Sequence, residues 1–146
     1  MVGIGKLLER RLSERSTILV NWNKPPPLYV KLNTDGSCIH GTCGGGGVVR
    51  DALGRFIMAF TMPLGQGTSN SAEASSFLFG LEWCIRKGYN LVIGETDSML
   101  LQNCINDTVS TPWRLEETVN NIKKIVMSKL DIVLEKPTKL LIDWPL

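Results

Sequence analysis

Leu91-Val92-Ile93 constrains this chain more than any other stretch, because helical periodicity lies on both sides of so short an apolar run. A run of this length reads as a strand buried on both faces. Before it, Ala74, Phe77, Leu78, Leu81 and Ile85 recur at helical spacing behind a Thr68-Ser69-Asn70-Ser71 start. Arg86-Lys87 and then Gly88 close that helix, with cations suited to its negative end. After it, Gly94-Glu95-Thr96 leads to Asp97-Ser98, which opens a further helix through Met99, Leu100 and Ile105.

The first strand is Val30-Lys31-Leu32-Asn33-Thr34-Asp35, where Val30 and Leu32 alternate with Lys31 and Asn33. That is the period of a half-buried strand. It is expected to end on Asp35, with Gly36 turning the backbone. Five glycines follow, at Gly41 and Gly44 to Gly47. They lack the Gly-Lys-Ser/Thr of a phosphate loop and read as sites where a neighbouring backbone approaches at a sheet edge. Val48 to Asp51, a Leu53-Gly54 turn and Arg55 to Thr61 form a hairpin, which completes a three-stranded meander. A third helix from Trp113 turns Leu115, Val119, Ile122 and Val126 to one face and leaves Lys123, Lys124 and Lys129 to solvent. Asp131 to Glu135 is the last strand.

The order is therefore strand, strand, strand, helix, strand, helix, helix, strand, an α/β chain. Helical connections between the first, fourth and fifth strands imply parallel neighbours with right-handed crossovers. Ligands gather at the carboxyl ends of such strands. Asp35 and Asp97 stand at two of those ends, and Glu73 enters from the first turn of a helix beside them. Each has an ordinary reading: a turn for Asp35, a dipole partner or capping-box residue for Glu73, an N-cap for Asp97. Converging, they would repel one another and raise one another's pKa unless cations neutralised them. Hard, oxygen-seeking Mg²⁺ or Mn²⁺ suits such a set. Two such ions roughly 4 Å apart give a reaction class, metal-assisted phosphodiester hydrolysis.

At 146 residues the chain suits one domain with a short appendage. Residues 1–34 carry six Lys or Arg against two Glu, and the rest carries ten against twelve acids. The expected division is a basic leader and Pro25-Pro26-Pro27 linker over 1–27, then a domain over 28–146. Cys38, His40 and Cys43 make a poor zinc pattern without a second ligand pair. Cys84 and Cys104 fall on apolar faces as small core residues. Four thiols read as free, with no signal peptide and no apolar run near 18 residues, point to an intracellular protein of nucleus or cytoplasm with no membrane partner.

Trp22-Asn23-Lys24-Pro25-Pro26 followed by Lys31 to Ser37, then Gly44 to Asp51, Asn70 to Ala74 and Glu95 to Ser98, resembles the plant ribonuclease H-like domains related to retrotransposons. The resemblance covers roughly residues 22–135 with its motifs in the family's order. It implies the ribonuclease H fold, a mixed five-stranded sheet of order 3-2-1-4-5 flanked by helices; the chain is expected to be a monomer. It also implies cleavage of the RNA strand of RNA–DNA hybrids with two Mg²⁺ ions, for which Mn²⁺ can substitute.

By matching position, Asp35, Glu73, Asp97 and Asp143 would be metal ligands. Asn70 would read the RNA 2′-hydroxyl, a contact that separates RNA from DNA. Gly36 and Ser37 would lie against the nucleic-acid backbone. The C-terminal motif departs from the family: Val133 stands at its histidine, Lys136 at its arginine, Pro137 at its glutamate, Lys139 at its asparagine and Ile142 at its alanine. Loss of the histidine predicts slower turnover, and Asp143 lies on a terminal segment expected to fray. Two other outcomes share the fold: a catalytically impaired nucleic-acid-binding module, and a degenerate retroelement remnant.

Overall fold

The computed structural model describes residues 27–128 and, as backbone, 131–135. The leader and Asp143 fall outside the described residues, as does the side chain of Val133. In chain order the elements are β1 (Val30–Ile39), β2 (Thr42–Arg50), β3 (Phe56–Gln66), α1 (Ser69–Arg86), β4 (Leu91–Glu95), α2 (Met99–Ile105), a 3₁₀ turn (Trp113–Leu115), α3 (Glu116–Ser128) and β5 (Asp131–Glu135). The sheet runs β3-β2-β1-β4-β5. β1, β2 and β3 pair antiparallel, whereas β1–β4 and β4–β5 are parallel. Among the described residues no helix is long and apolar enough to cross a membrane.

β1 does not stop at Asp35. It continues to Ile39, because Asp35 to Ile39 have partners on β2 from Gly46 to Thr42. The chain reverses at His40 and Gly41, whose φ values of 50° and 80° are those of a two-residue primed turn. The Asp-Gly turn signal thus loses to a ladder that offers every backbone group a partner. The glycine run is likewise the body of β2, an interior strand between β1 and β3 and not a sheet edge. β3 extends to Gln66, five residues past the expected end.

Cys38 and Cys43 face each other across the β1–β2 pair and form a disulfide. The expectation of four free thiols is corrected here. A zigzag register invisible in the spacing of five places the two side chains directly opposite. Cys84 and Cys104 are free and buried, as their apolar faces predict.

Helix α1 begins at Thr68, whose hydroxyl accepts from the Ser71 N–H while the Ser71 hydroxyl accepts from the Thr68 N–H. The capping box therefore closes on Ser71 and not on Glu73, which lies two residues further in and past the first turn where it was expected. The helix ends before Gly88, whose φ of 86° fits the left-handed stop that glycine permits. Its apolar face, Ala74, Phe77, Leu81 and Cys84, packs with Leu32, Val49 and Val92 from the sheet, and with Leu101, Val119 and Ile122 from α2 and α3. Burying each large aliphatic side chain contributes about 1.5–3 kcal/mol.

Two glycines fix how closely α1 lies on β1. A Cβ at Gly36 would come within 2.4 Å of the Ala72 carbonyl carbon, and one at Gly80 within 2.5 Å of Leu32 Cδ1. At one contact the strand makes room for the helix, and at the other the helix makes room for the strand.

Candidate metal centre

The parallel ladder between β1 and β4 ends at the pair Asn33 and Glu95. Side chains alternate along a strand, so Asp35, two residues beyond Asn33 on β1, projects to the Asn33 face, and Asp97 lies two residues past the end of β4. Asp35 is thus at an end after all: the end of the parallel ladder, although the strand itself runs on. Asp97 sits just outside α2, whose N-cap is Ser98, its hydroxyl accepting from the Leu101 N–H. The N-cap reading of Asp97 is therefore replaced by one in which its carboxylate is not spent on the helix.

Glu73 reaches the same place from α1. Gly36 lets the Ala72–Glu73 backbone settle onto β1 immediately beside Asp35. One oxygen from each of Asp35, Glu73 and Asp97 lies within 4.8 Å of the other two. Asp35 and Asp97 are exposed and Glu73 is buried.

Glu73 Oε2 is shut off from solvent and has no hydrogen-bond partner among the described residues. Its carboxyl is pushed up to about 8, first by burial, then by the charges of Asp97 and Asp35 and a hydrogen bond with Asp35; the Gly36 N–H pulls the other way. Near neutral pH this group holds a proton rather than remain a third anion in so small a space. Three carboxylates, one of them with an orphaned buried oxygen, are the donor set of a hard divalent cation. Asp35, Glu73 and Asp97 fit that group, and a cation would displace the Glu73 proton.

The other expected site residues are placed separately. Asn70 is exposed on the first turn of α1, three residues before Glu73 and so on the same side of the helix. Ser37 is exposed on the Asp35 face of β1. Gly36 is buried, and the close approach on its Cβ side comes from α1.

One group was not singled out from sequence. Lys31, expected on the polar half of β1, is buried to 1% exposure, and its Nζ lies 2.6 Å from Glu95 Oε1. Asn33 Nδ2 donates to the other oxygen, Glu95 Oε2, at 2.6 Å. The signal was present: Asn33 precedes Asp35 by two residues on one strand, and Glu95 precedes Asp97 by two at the end of another.

A family described as reverse transcriptase-like has a sequence model that matches residues 33–134. The chain belongs to this family. A relative in Arabidopsis thaliana, named for ribonuclease H, is 28% identical over 108 residues, which are 73% of this chain and 17% of that protein. The chain therefore spans about a sixth of that relative's length. Among solved structures, ribonuclease H1 of Halobacterium salinarum superposes with a TM-score of 0.69 at 18% identity, covering 74% of this chain and 84% of that one. LC11 ribonuclease H1, from compost and solved with an RNA/DNA hybrid, gives 0.66 at 22% identity, with 73% and 83% covered. The foamy viral protease–reverse transcriptase, also solved with a hybrid, gives 0.65 at 20% identity, with 83% and 19% covered. At these identities the likeness is one of fold, and the fold of this reverse transcriptase-like domain is ribonuclease H-like.

Proposed function

We propose that this domain is a metal-dependent endonuclease that hydrolyses the RNA strand of RNA–DNA hybrids. The observation that carries the reading is the convergence of Asp35, Glu73 and Asp97 within 4.8 Å, with the Glu73 carboxyl forced toward its neutral form. A structural acidic patch would spread its charges into solvent. Here one carboxylate is desolvated against two others, an arrangement that costs stability until a cation occupies it. The ribonuclease H-like fold, and two neighbours of that fold solved with hybrid, support the choice of substrate.

Asp35, Glu73 and Asp97 would hold two Mg²⁺ ions, with Asp143 as the fourth ligand that the resemblance implies. When bound, such ions supply an activated water and charge stabilisation for the leaving oxygen of a phosphodiester. The chain's own residues do the remainder. Asp35 and Asp97, open to solvent, present oxygens on the side where substrate arrives. Glu73 anchors the set from within the fold. Asn70, one helical turn nearer the exposed end of α1, contacts the RNA 2′-hydroxyl, and exposed Ser37 lies along the sugar-phosphate backbone, whereas buried Gly36, expected there too, serves instead to seat α1.

A second reading has its own observation. Val133 and Pro137 stand where the resemblance places a histidine and a glutamate, so the domain could bind hybrid through the same surface and turn it over slowly. One experiment separates the two. A labelled RNA–DNA hybrid is incubated with the protein in Mg²⁺ and in Mn²⁺, beside a DNA duplex and the Asp35→Asn variant. Cleavage confined to the hybrid and lost in the variant supports the nuclease. Hybrid retained on a folded protein without cleavage supports the binding module.

A further inference from the structure

Two carboxylates at the open end of a parallel strand pair push those strands apart. Asp35 and Asp97 are in this position, since no β1–β4 ladder pair is found beyond Asn33 and Glu95. Backbone hydrogen bonds therefore cannot oppose the repulsion at the level where it acts. What lies immediately beneath is the buried Glu95 carboxylate, 3% exposed, gripped on both oxygens from β1. Lys31 holds Oε1 and Asn33 holds Oε2, each at 2.6 Å. Lys31 and Asn33 share the Asp35 face of β1, and their bonds hold Glu95, the last residue of β4, to it. The link thus crosses between the two strands two residues short of the metal carboxylates Asp35 and Asp97.

We propose that Asn33, Glu95 and Lys31 are positioning residues that clasp β1 to β4 and so set the distance between Asp35 and Asp97. The proposal rests on the reading of Asp35, Glu73 and Asp97 as metal ligands. A simpler role would be structural, a buried ion pair that only keeps the sheet closed. Charge placement argues against that alone. Replacing a buried ion pair by apolar residues is commonly neutral or stabilising, so a sheet needs no such pair to remain folded. Here the neutral donor is added at the last rung before the site, where a hydrogen bond can resist strand separation without adding charge beside the carboxylates. Lys31, one rung deeper on that face, balances the Glu95 charge so that it does not add to the repulsion above it.

The test compares Mg²⁺ binding, by calorimetry without substrate, in the wild type, Asn33→Leu, Asn33→Ser and a control, Val119→Ala. Val119 lies in the core on α3, so its truncation destabilises the fold at a place outside the clasp. Leu keeps the γ-branched shape of Asn33 and removes the donor; Ser is the milder variant should Leu prevent folding. The expected result is Mg²⁺ affinity about tenfold weaker in the Asn33 variants and unchanged in Val119→Ala. With hybrid as substrate, the Asn33 variants should need about tenfold more Mg²⁺ for half-maximal rate while KM for the hybrid stays the same. Wild-type affinity in a folded Asn33 variant overturns the proposal, as does an equal loss in Val119→Ala, which would trace the effect to stability. A wild type that takes up no Mg²⁺ overturns the metal-centre reading itself, a different failure from that of the clasp.

Discussion

Strand β1 presents two faces that solve opposite problems. Val30, Leu32, Thr34 and Gly36 are buried on the face toward α1, where shape decides what fits. Lys31, Asn33, Asp35 and Ser37 share the other face, where charge decides, from a buried ion pair at one end to an exposed carboxylate at the other. The contrast explains why so short a segment can hold a site. The first face fixes the helix that delivers Glu73, and the second sets the partners that meet it. Neither face suffices alone, because Glu73 reaches Asp35 only where Gly36 omits a side chain.

Breaking the shape face should cost most. Leu81→Ala, in the layer between α1 and the sheet, is expected to lower unfolding free energy by about 3 kcal/mol in a urea titration. Gly36→Ala inserts a methyl against helix backbone that cannot rotate away, and about 2–3 kcal/mol of destabilisation is expected. Its Mg²⁺ affinity should fall as well, since α1 must lift where it carries Glu73; in Leu81→Ala that affinity should persist.

The charge face is tested with pH. Glu73 has its folded pKa raised from 4.5 to about 8, so between those values the folded protein holds a proton that the unfolded chain has released. The associated stability is complete below about 4.5 and is lost as pH rises through about 8. In metal-free buffer the midpoint of thermal unfolding should therefore decline between pH 5 and 8, by an amount on the order of 2 kcal/mol in stability. Glu73→Gln should abolish the decline, and saturating Mg²⁺ should reverse it in the wild type.

The disulfide offers a smaller effect. Cys38 and Cys43 close a hairpin already held by a two-residue turn, so Cys38→Ser with Cys43→Ser should cost only about 1 kcal/mol in melting experiments. Least of all, Lys123→Ala on the solvated side of α3 removes a partner of the exposed Asp107 and should change stability by less than about 1 kcal/mol.

Much of this was legible in the sequence, for identifiable reasons. Leu91 to Ile93, the Val119–Ile122 face and the buried Cys84 and Cys104 follow from periodicity, a local property that tertiary contacts reinforce. Asp35, Glu73 and Asp97 could be grouped because each lies near an element end, and topology brings such ends together. What escaped depended on pairing. The extension of β1 to Ile39, the interior place of the glycine strand and the Cys38–Cys43 bond are all consequences of one antiparallel register. Lys31 looked like a solvent residue because sequence shows alternation but not what covers the polar face. Its burial is intelligible only with Glu95 beside it, and those residues are sixty-four positions apart.

The pair Gly36 and Gly80 gives α1 the properties of a lever. Gly80 is seven residues from Glu73, roughly 10 Å along the helix axis, and presses on Leu32 in the middle of β1. Tilting the helix at that fulcrum swings the far end, where Glu73 meets Asp35, through a larger arc than the disturbance itself. The tuning of the carboxylate cluster therefore lies partly in the apolar core. A single methyl added at Gly80, remote from every charged group of the site, should detune it as effectively as a substitution among the carboxylates' own neighbours.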